Sequence, residues 1–207
     1  MTTTRTVPAG HPERPEGEDG KRLLARMNGG RHEDLALWGL SQVEIADDAR
    51  VLDIGCGGGA NIARLLERAS NGHVSGLDFS PLSVATSREH NSTAIEAGRC
   101  AVVEGDSSAL PFGDGAFNLV TAFETVYYWD IAASFAEVLR VLAPGGRFLI
   151  CNEDDGRSPE SVEFAKLVPT MTMHTPEVLE AALLAAGFAS CKLAEREGGD
   201  FTLVACK

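Results

Sequence analysis

Gly55, Gly57, Gly58 and Gly59 fill four of five consecutive positions, and an acid, Asp53, stands two residues ahead of them. They belong to the run R-V-L-D-I-G-C-G-G-G-A-N-I-A-R-L-L-E, residues 50–67. Glycines spaced this way let the backbone turn sharply and approach a ligand with no side chain between. Ahead of them Val51, Leu52 and Ile54 make a short apolar run with two β-branched members, enough for one buried strand. Behind them Ile62, Ala63, Leu65 and Leu66 place an apolar stripe on a predicted helix, residues 60–67. Strand, glycine turn and helix form the first half of a nucleotide-binding βαβ unit. Gly55, Gly57 and Ala60 satisfy G-x-G-x-x-A, in which a pyrophosphate rests on the helix N-terminus. Asp53 extends the motif to D-x-G-x-G-x-G, and a phosphate-holding loop gains little from a carboxylate there.

A second strand, His73 to Asp78, ends in an acid 19 positions beyond Gly59. That is close to the ~20-residue spacing of a carboxylate that accepts ribose hydroxyls, in dinucleotide and other nucleotide sites alike. Phe79 follows, placed to pack against adenine, and Ser80-Pro81 is a helix start with Ser80 as N-cap. A third strand, Cys100 to Glu104, runs into Gly105-Asp106-Ser107. The fourth, Phe117 to Ala122, runs into Phe123-Glu124-Thr125-Val126-Tyr127-Tyr128-Trp129. Aromatics and a carboxylate at a strand's carboxyl end stand where open α/β sheets bind ligands. Asn152-Glu153-Asp154-Asp155 leaves the fifth strand with three acids.

The D-x-G-x-G-x-G motif, G-D-S after the third strand, and the run L-R-V-L-A-P-G-G-R-F-L-I resemble the class I S-adenosylmethionine (SAM) dependent methyltransferases, of the small-molecule, UbiE-like (methyltransferase type 11) group. The resemblance covers about residues 32–206. It implies that Asp53 with Gly55, Gly57 and Gly59 holds the methionine moiety, and that Asp78 and Phe79 hold the adenosine. It further implies that Asp106, followed by Ser107, accepts from the adenine amino group. The implied cofactor is S-adenosyl-L-methionine and the implied activity is transfer of its methyl group to a small-molecule acceptor. Asn118 departs from the family's usual Asp at the start of the fourth strand, which affects hydrogen bonding at the strand start more than chemistry. Glu124 and Tyr127, directly after that strand, are the candidate catalytic residues. Tyr128, Glu153 and His174 are further candidates on the same edge. Glu153, Asp154 and Asp155 suggest a solvated acidic loop, because no second acid-rich segment of matching spacing accompanies them, and no metal site is expected.

The elements positioning these residues read as an α/β fold: a doubly wound, mostly parallel seven-stranded Rossmann-like sheet ending in an antiparallel hairpin. The hairpin is read near Ser190–Glu195 and Phe201–Cys206, joined by Gly198-Gly199-Asp200. Residues 1–20, rich in Pro, Gly and acids and nearly without apolar residues, read as a flexible arm, and residues 21–207 as the SAM-binding domain. Within it residues 21–48 form N-terminal helices, which the resemblance implies lie as a lid over the cofactor pocket, with His32 and Trp38 as lid residues. A helix from Ser80 is predicted to continue to about Ala97, and residues 157–175 to form a poorly patterned insert.

The 207 residues suit one domain, and the net charge of −12 argues against a nucleic-acid partner, whose binding draws on a basic footprint. No stretch reaches the roughly 18 apolar residues of a membrane span, and the first residues lack a signal-peptide core, so a cytoplasmic protein without membrane association is expected. Five scattered cysteines, none in C-x-x-C, suggest reduced structural thiols. Oligomeric state is left open. Two rival functions remain: an NAD(P)-dependent oxidoreductase, which the acids and hairpin disfavour and whose Tyr-x-x-x-Lys dyad is missing, and a SAM-binding module without turnover.

Overall fold

A computed structural model describes residues 12–207. In chain order the elements are α1 (Gly17–Met27), α2 (Arg31–Leu40), β1 (Arg50–Ile54), α3 (Ala60–Arg68), β2 (His73–Asp78), α4 (Pro81–His90), α5 (Ser92–Glu96) and β3 (Cys100–Glu104). They continue as β4 (Phe117–Phe123), α6 (Ile131–Val141), β5 (Leu142–Asn152), α7 (Pro159–Ala165), α8 (Pro176–Ala186), β6 (Ser190–Glu195) and β7 (Phe201–Cys206). The strands form one seven-stranded sheet in the order β3-β2-β1-β4-β5-β7-β6. Strands β1 to β5 pair in parallel, while β7 pairs antiparallel with both β5 and β6. The topology is therefore the expected one.

Burial on both faces explains the apolar runs. Leu52, Ile54, Val120 and Phe148 pack with Phe135 and Val138 of α6 and with Leu179 and Leu183 of α8 on one side. Val51, Val74, Leu119 and Leu149 pack with Ile62 and Leu65 of α3 and with Leu40 of α2 on the other. The order of β1 next to β4, with β2 and β3 wound the opposite way, opens a cleft at the carboxyl ends of β1 and β4. Asn118 serves the strand start: its Oδ1 accepts from the Arg50 amide at 3.0 Å.

Several boundaries differ from the sequence reading, each for a local reason. Helix α1 begins at Gly17, inside the stretch read as an arm, and its Gly20 is buried against Pro15 and Leu82, where a Cβ would come within 2.8 Å of the Pro15 carbonyl carbon. Residues 1–11 of that arm lie outside the described residues. The helix read from Ser80 to Ala97 is two helices, because the side-chain amide of Asn91 donates to the Ser87 and Gly59 carbonyls at 3.0 Å each. The insert carries α7, N-capped by Ser158, whose Oγ accepts from the Ser161 amide with Pro159 at the first helical position. Among the described residues no helix is long and apolar enough to cross a membrane.

Candidate functional site

The glycine turn lies across the cleft. Gly55, Gly57 and Gly59 all take left-handed backbone angles, with φ of +73°, +50° and +84°. A Cβ on Gly55 would fall 2.2 Å from Thr125 Oγ1, and one on Gly59 would fall 2.5 Å from Asn91 Nδ2. At Gly57 the only neighbour within 4 Å is Leu24 Cδ2 at 3.8 Å, so a Cβ there would enter the open groove. The groove has two sections sharing Gly55. One, of about 600 Å³, is walled by Leu77, Asp78, Phe79, Asp106, Ser107 and Tyr128. The other, of about 500 Å³, runs beneath α1 and α2 and is walled by Leu24, Met27, His32, Gly57, Arg64 and Glu124. A bridging section links Gly57, Asp78 and Phe79 with Glu124 and Tyr128.

Asp78 sits at the junction. Its Oδ2 accepts from the Gly57 amide and its Oδ1 from the Ser80 amide, each at 2.9 Å, so one carboxylate braces the glycine turn and the start of α4. Burial pushes its carboxyl above the ordinary range, while the amides of Ser80 and Gly57 pull it back. Phe79 is 41% exposed and lines the groove. Asp106 Oδ1 accepts from both the amide and the hydroxyl of Ser108 at 2.7 Å, a turn that presents the carboxylate at the groove wall. The Ser107 hydroxyl shares a 2.8 Å hydrogen bond with that of Ser134 on α6.

Asp53 is placed differently from the other acids. It is 2% exposed and accepts from Thr121 Oγ1 at 2.7 Å, and the groove walls do not include it. Burial raises its pKa to about 7, against the Thr121 bond and with a smaller push from Asp78. The structure thus places Asp53 beneath the glycine turn, among the strands.

Glu124 alone among the described non-glycine residues has a positive φ, +57°. Such a conformation costs about 1–2 kcal/mol. Its Oε1 accepts from the Tyr127 hydroxyl at 3.2 Å and from the Glu153 amide. Burial, then the neighbouring Glu153, holds the Glu124 carboxyl well above the usual carboxylate range. Tyr127 is 3% exposed and lies behind Glu124, while Tyr128 faces the groove. The two candidates, Glu124 and Tyr127, are therefore together, but only Glu124 lines the groove. His174 lies beside Gly156, outside the groove wall.

The acidic run after β5 splits up. Asp154 accepts from the Gly156 amide, and Asp155 from the amide and guanidinium of Arg157. Glu153 turns back to meet Arg31, whose Nε donates at 2.9 Å, and its carboxylate comes near Glu124 and His32. His32 lines the groove. Trp38 does not; the Arg196 guanidinium stacks over its ring at 4.8 Å. The helix over the groove is mainly α1, most of which falls within residues 21–48. Leu24 and Met27 face the glycine turn, and Arg64 of α3 donates to the Asn28 carbonyl at 3.1 Å. Thr125 and Arg64 also went unnoticed, since neither belongs to a motif of fixed spacing.

The comparisons with known proteins follow this geometry. A family model described as a methyltransferase domain matches residues 51–146, which contain the glycine turn, Asp78, Asp106 and Glu124. The demethylmenaquinone methyltransferase of Thermus thermophilus is 40% identical over 103 residues, 49% of this chain and 46% of that protein. The demethylmenaquinone methyltransferase of Lactiplantibacillus plantarum is 33% identical over 156 residues, 70% of this chain and 65% of that protein. The chain therefore spans less than two thirds of the length of these relatives. A chain from the Haloferax volcanii complex between the Trm112 methyltransferase activator and a methyltransferase superposes with a TM-score of 0.79 at 22% identity, covering 90% of this chain and 94% of that one, a likeness of fold. Motif, topology and relatives agree: residues 51–146 match the methyltransferase-domain family, and the chain is similar to the class I SAM-dependent methyltransferases of the UbiE and menaquinone-methyltransferase-like group.

Proposed function

We propose that the protein transfers a methyl group from S-adenosylmethionine to a small-molecule acceptor. One observation carries the reading: a single groove joins Asp78 and Phe79 to the glycine turn and then to Glu124. The donor set fits the cofactor. Asp78 uses two of its acceptor positions on Gly57 and Ser80, and the remaining ones suit the two hydroxyls of a ribose. Phe79 offers an uncovered ring face for adenine, with Asp106 at the same wall. The open space at Gly57 lets an extended chain pass without a side chain in its way. Bound S-adenosylmethionine supplies a methyl group on a sulfonium, already activated for displacement.

The protein's own part is alignment, exclusion of water and handling of a proton. Alignment of two reactants is worth effective molarities of about 10⁵–10⁸ M. Helix α1 covers the groove through Leu24 and Met27 and keeps water from it. Glu124 is the residue placed to hold or take a proton from an acceptor, because it lines the groove and burial with the neighbouring Glu153 raises its proton affinity. Tyr127 is a positioning residue that orients Glu124.

The acceptor in this reading is a small, neutral or cationic molecule, seated against Tyr128 with Glu124 at its side. The net charge of −12 and the short stretch between β5 and α8 support a metabolite over a nucleic acid. The name of both relatives, demethylmenaquinone methyltransferase, points the same way. Five free cysteines fit a reducing compartment, and the reading places the protein in the cytoplasm. Incubation with methyl-labelled S-adenosylmethionine and fractionated metabolite pools tests the proposal. Label should pass to a small molecule, and Glu124→Gln should slow transfer at least tenfold while S-adenosylmethionine affinity stays within about threefold, roughly 0.7 kcal/mol. Transfer to RNA or DNA alone, or to nothing, would overturn it.

A further inference from the structure

We infer that Arg64 is the residue through which a ligand in the groove closes α1 and the start of α2 over itself: the guanidinium takes the ligand's free carboxylate while keeping its hold on the end of α1. The inference rests on the methyltransferase reading, since S-adenosylmethionine is what brings a carboxylate to this end of the groove. Arg64 stands in the second turn of α3, four positions after Ala60. Side chains of a helix lean towards its N-terminus, so a long one covers the turn before its own. Arg64 does so, with Nη1 donating to Asn61 Oδ1 at 2.8 Å. Both residues line the groove section beneath α1 and α2, together with Gly57 and Gly58.

Charge selects the ligand group. Among the described residues that line the three groove sections, Arg64 is the only arginine or lysine. A carboxylate entering the groove therefore has one permanent cation to meet. A guanidinium has five N–H donors, and the hydrogen bonds to Asn61 Oδ1 and the Asn28 carbonyl use two, so three remain. The ion pair with Glu33 is 3.6 Å long and the Glu33 side chain is 53% exposed, so water already competes for it and a ligand displaces little. The Arg64 side chain itself is only 14% exposed, which shields a carboxylate that reaches it. The start of α3 works in the same direction: its N-cap is Gly59, with no side-chain cap, and the uncapped amides of a first turn favour an anion.

The same guanidinium holds the cover. Its Nη2 donates at 3.1 Å to the carbonyl of Asn28, the C-cap of α1, where the helix dipole favours a cation. Asn28 also reaches the glycine turn, its Nδ2 donating to the Gly58 carbonyl at 3.4 Å. Gly29 and Gly30 follow, with open space where either Cβ would stand and with Gly30 at a φ of +63°, and α2 starts at the next residue. Two glycines beside a tethered Asn28 make a joint that can bend. Leu24 and Met27, on the last turns of α1, are the residues that cover the groove. A carboxylate that fixes the guanidinium fixes the end of α1, and with it those two side chains. A ligand without the carboxylate leaves the joint free to open.

Calorimetry with S-adenosylmethionine and with its decarboxylated form, which keeps the sulfonium and the ammonium, isolates the carboxylate. Full-length wild type should bind the intact nucleotide at least about tenfold more tightly, as a charge-assisted pair requires. Arg64→Gln should weaken the intact nucleotide by at least about tenfold and change the decarboxylated one by less than about threefold. Arg64→Lys keeps the charge without the planar fork and should retain only part of the preference. Melting of the ligand-free variants shows which are folded, and Arg64→Lys replaces Arg64→Gln if the latter is not. At saturation, S-adenosylmethionine should protect the amides of α1 and of residues 28–34 from hydrogen exchange in wild type. The decarboxylated form should protect them little, as should either nucleotide on Arg64→Gln. Equal losses for the two nucleotides in Arg64→Gln would make Arg64 a structural residue and overturn the inference. So would a wild type that binds both equally, or protection that does not need the carboxylate. A wild type that binds neither nucleotide is a separate outcome, which would overturn the methyltransferase reading and this inference with it.

Discussion

Replacing Asp53 by Asn should remove a pH dependence of stability that the wild-type protein carries through this one side chain. Asp53 lies on β1 opposite Thr121 of β4, 2% exposed, with the Thr121 hydroxyl donating at 2.7 Å. Burial lifts its pKa from an ordinary 3.8 to about 7. A lifted carboxyl keeps its proton in the folded state up to about pH 7 but loses it near pH 4 in the unfolded chain. Its contribution to stability is therefore fully present below about pH 4 and is lost as pH rises towards 7. Three pKa units at 1.36 kcal/mol each amount to about 4 kcal/mol across that window. Asn keeps the side chain's shape and its bond from Thr121 but does not titrate. Urea unfolding at several pH values between 4 and 8, for wild type and Asp53→Asn in parallel, isolates the term, because all other titrating groups cancel in the difference. The variant should gain on wild type steadily as pH rises, by a total on the order of 4 kcal/mol. A difference that stays flat across that range would refute the placement of Asp53 as a buried structural acid.

Two further outcomes follow from the glycine turn and α1. Gly57→Ala should cost only about 1–2 kcal/mol, the strain of a left-handed alanine, because a Cβ there meets nothing closer than 3.8 Å; it should nonetheless weaken S-adenosylmethionine at least tenfold by calorimetry. Gly59→Ala should be more destabilising, by roughly 3 kcal/mol in denaturant unfolding, because the added carbon lies 2.9 Å from the Ser87 backbone as well as against two side chains. Removing residues 1–20 cuts the first turn of α1 and the seat of Gly20 on Pro15 and Leu82, so cofactor affinity should fall several-fold even if the core still melts cooperatively. Unchanged affinity in that truncation would show that the first turn of α1 does not help to hold Leu24 and Met27 over the groove.

The sheet was legible because its signals are local. Apolar runs such as Val51–Ile54 mark strands buried on both faces, and glycines with positive φ mark the turn between β1 and α3. Asp78 and Phe79 were legible for the same reason: their place after a strand fixes where they point. What escaped reading depends on contacts between distant parts of the chain. The start of α1 rests on a glycine pressed against a proline, an approach that leaves no apolar periodicity. The break between α4 and α5 rests on the Asn91 side chain reaching the Gly59 carbonyl, 32 positions away. Asp53 shows a further limit. Its bond from Thr121 of the neighbouring strand cannot be read from its spacing to the glycines. Likewise Tyr127 and Tyr128 are adjacent, and the short 3₁₀ turn at Val126–Tyr128 decides which one is buried.

The central claim, that the groove around Asp78 and the glycine turn holds S-adenosylmethionine, is tested most directly by thermal unfolding in the presence of nucleotides. Ligand at a hundredfold excess over its dissociation constant adds about 2.7 kcal/mol to stability. For a domain of this size that corresponds to a rise of roughly 5–10 °C in Tm. S-adenosylmethionine and its demethylated product should each produce a shift of that order, and NAD and NADP should produce none. A shift with NAD or NADP, with none from either sulfur nucleotide, would contradict the account.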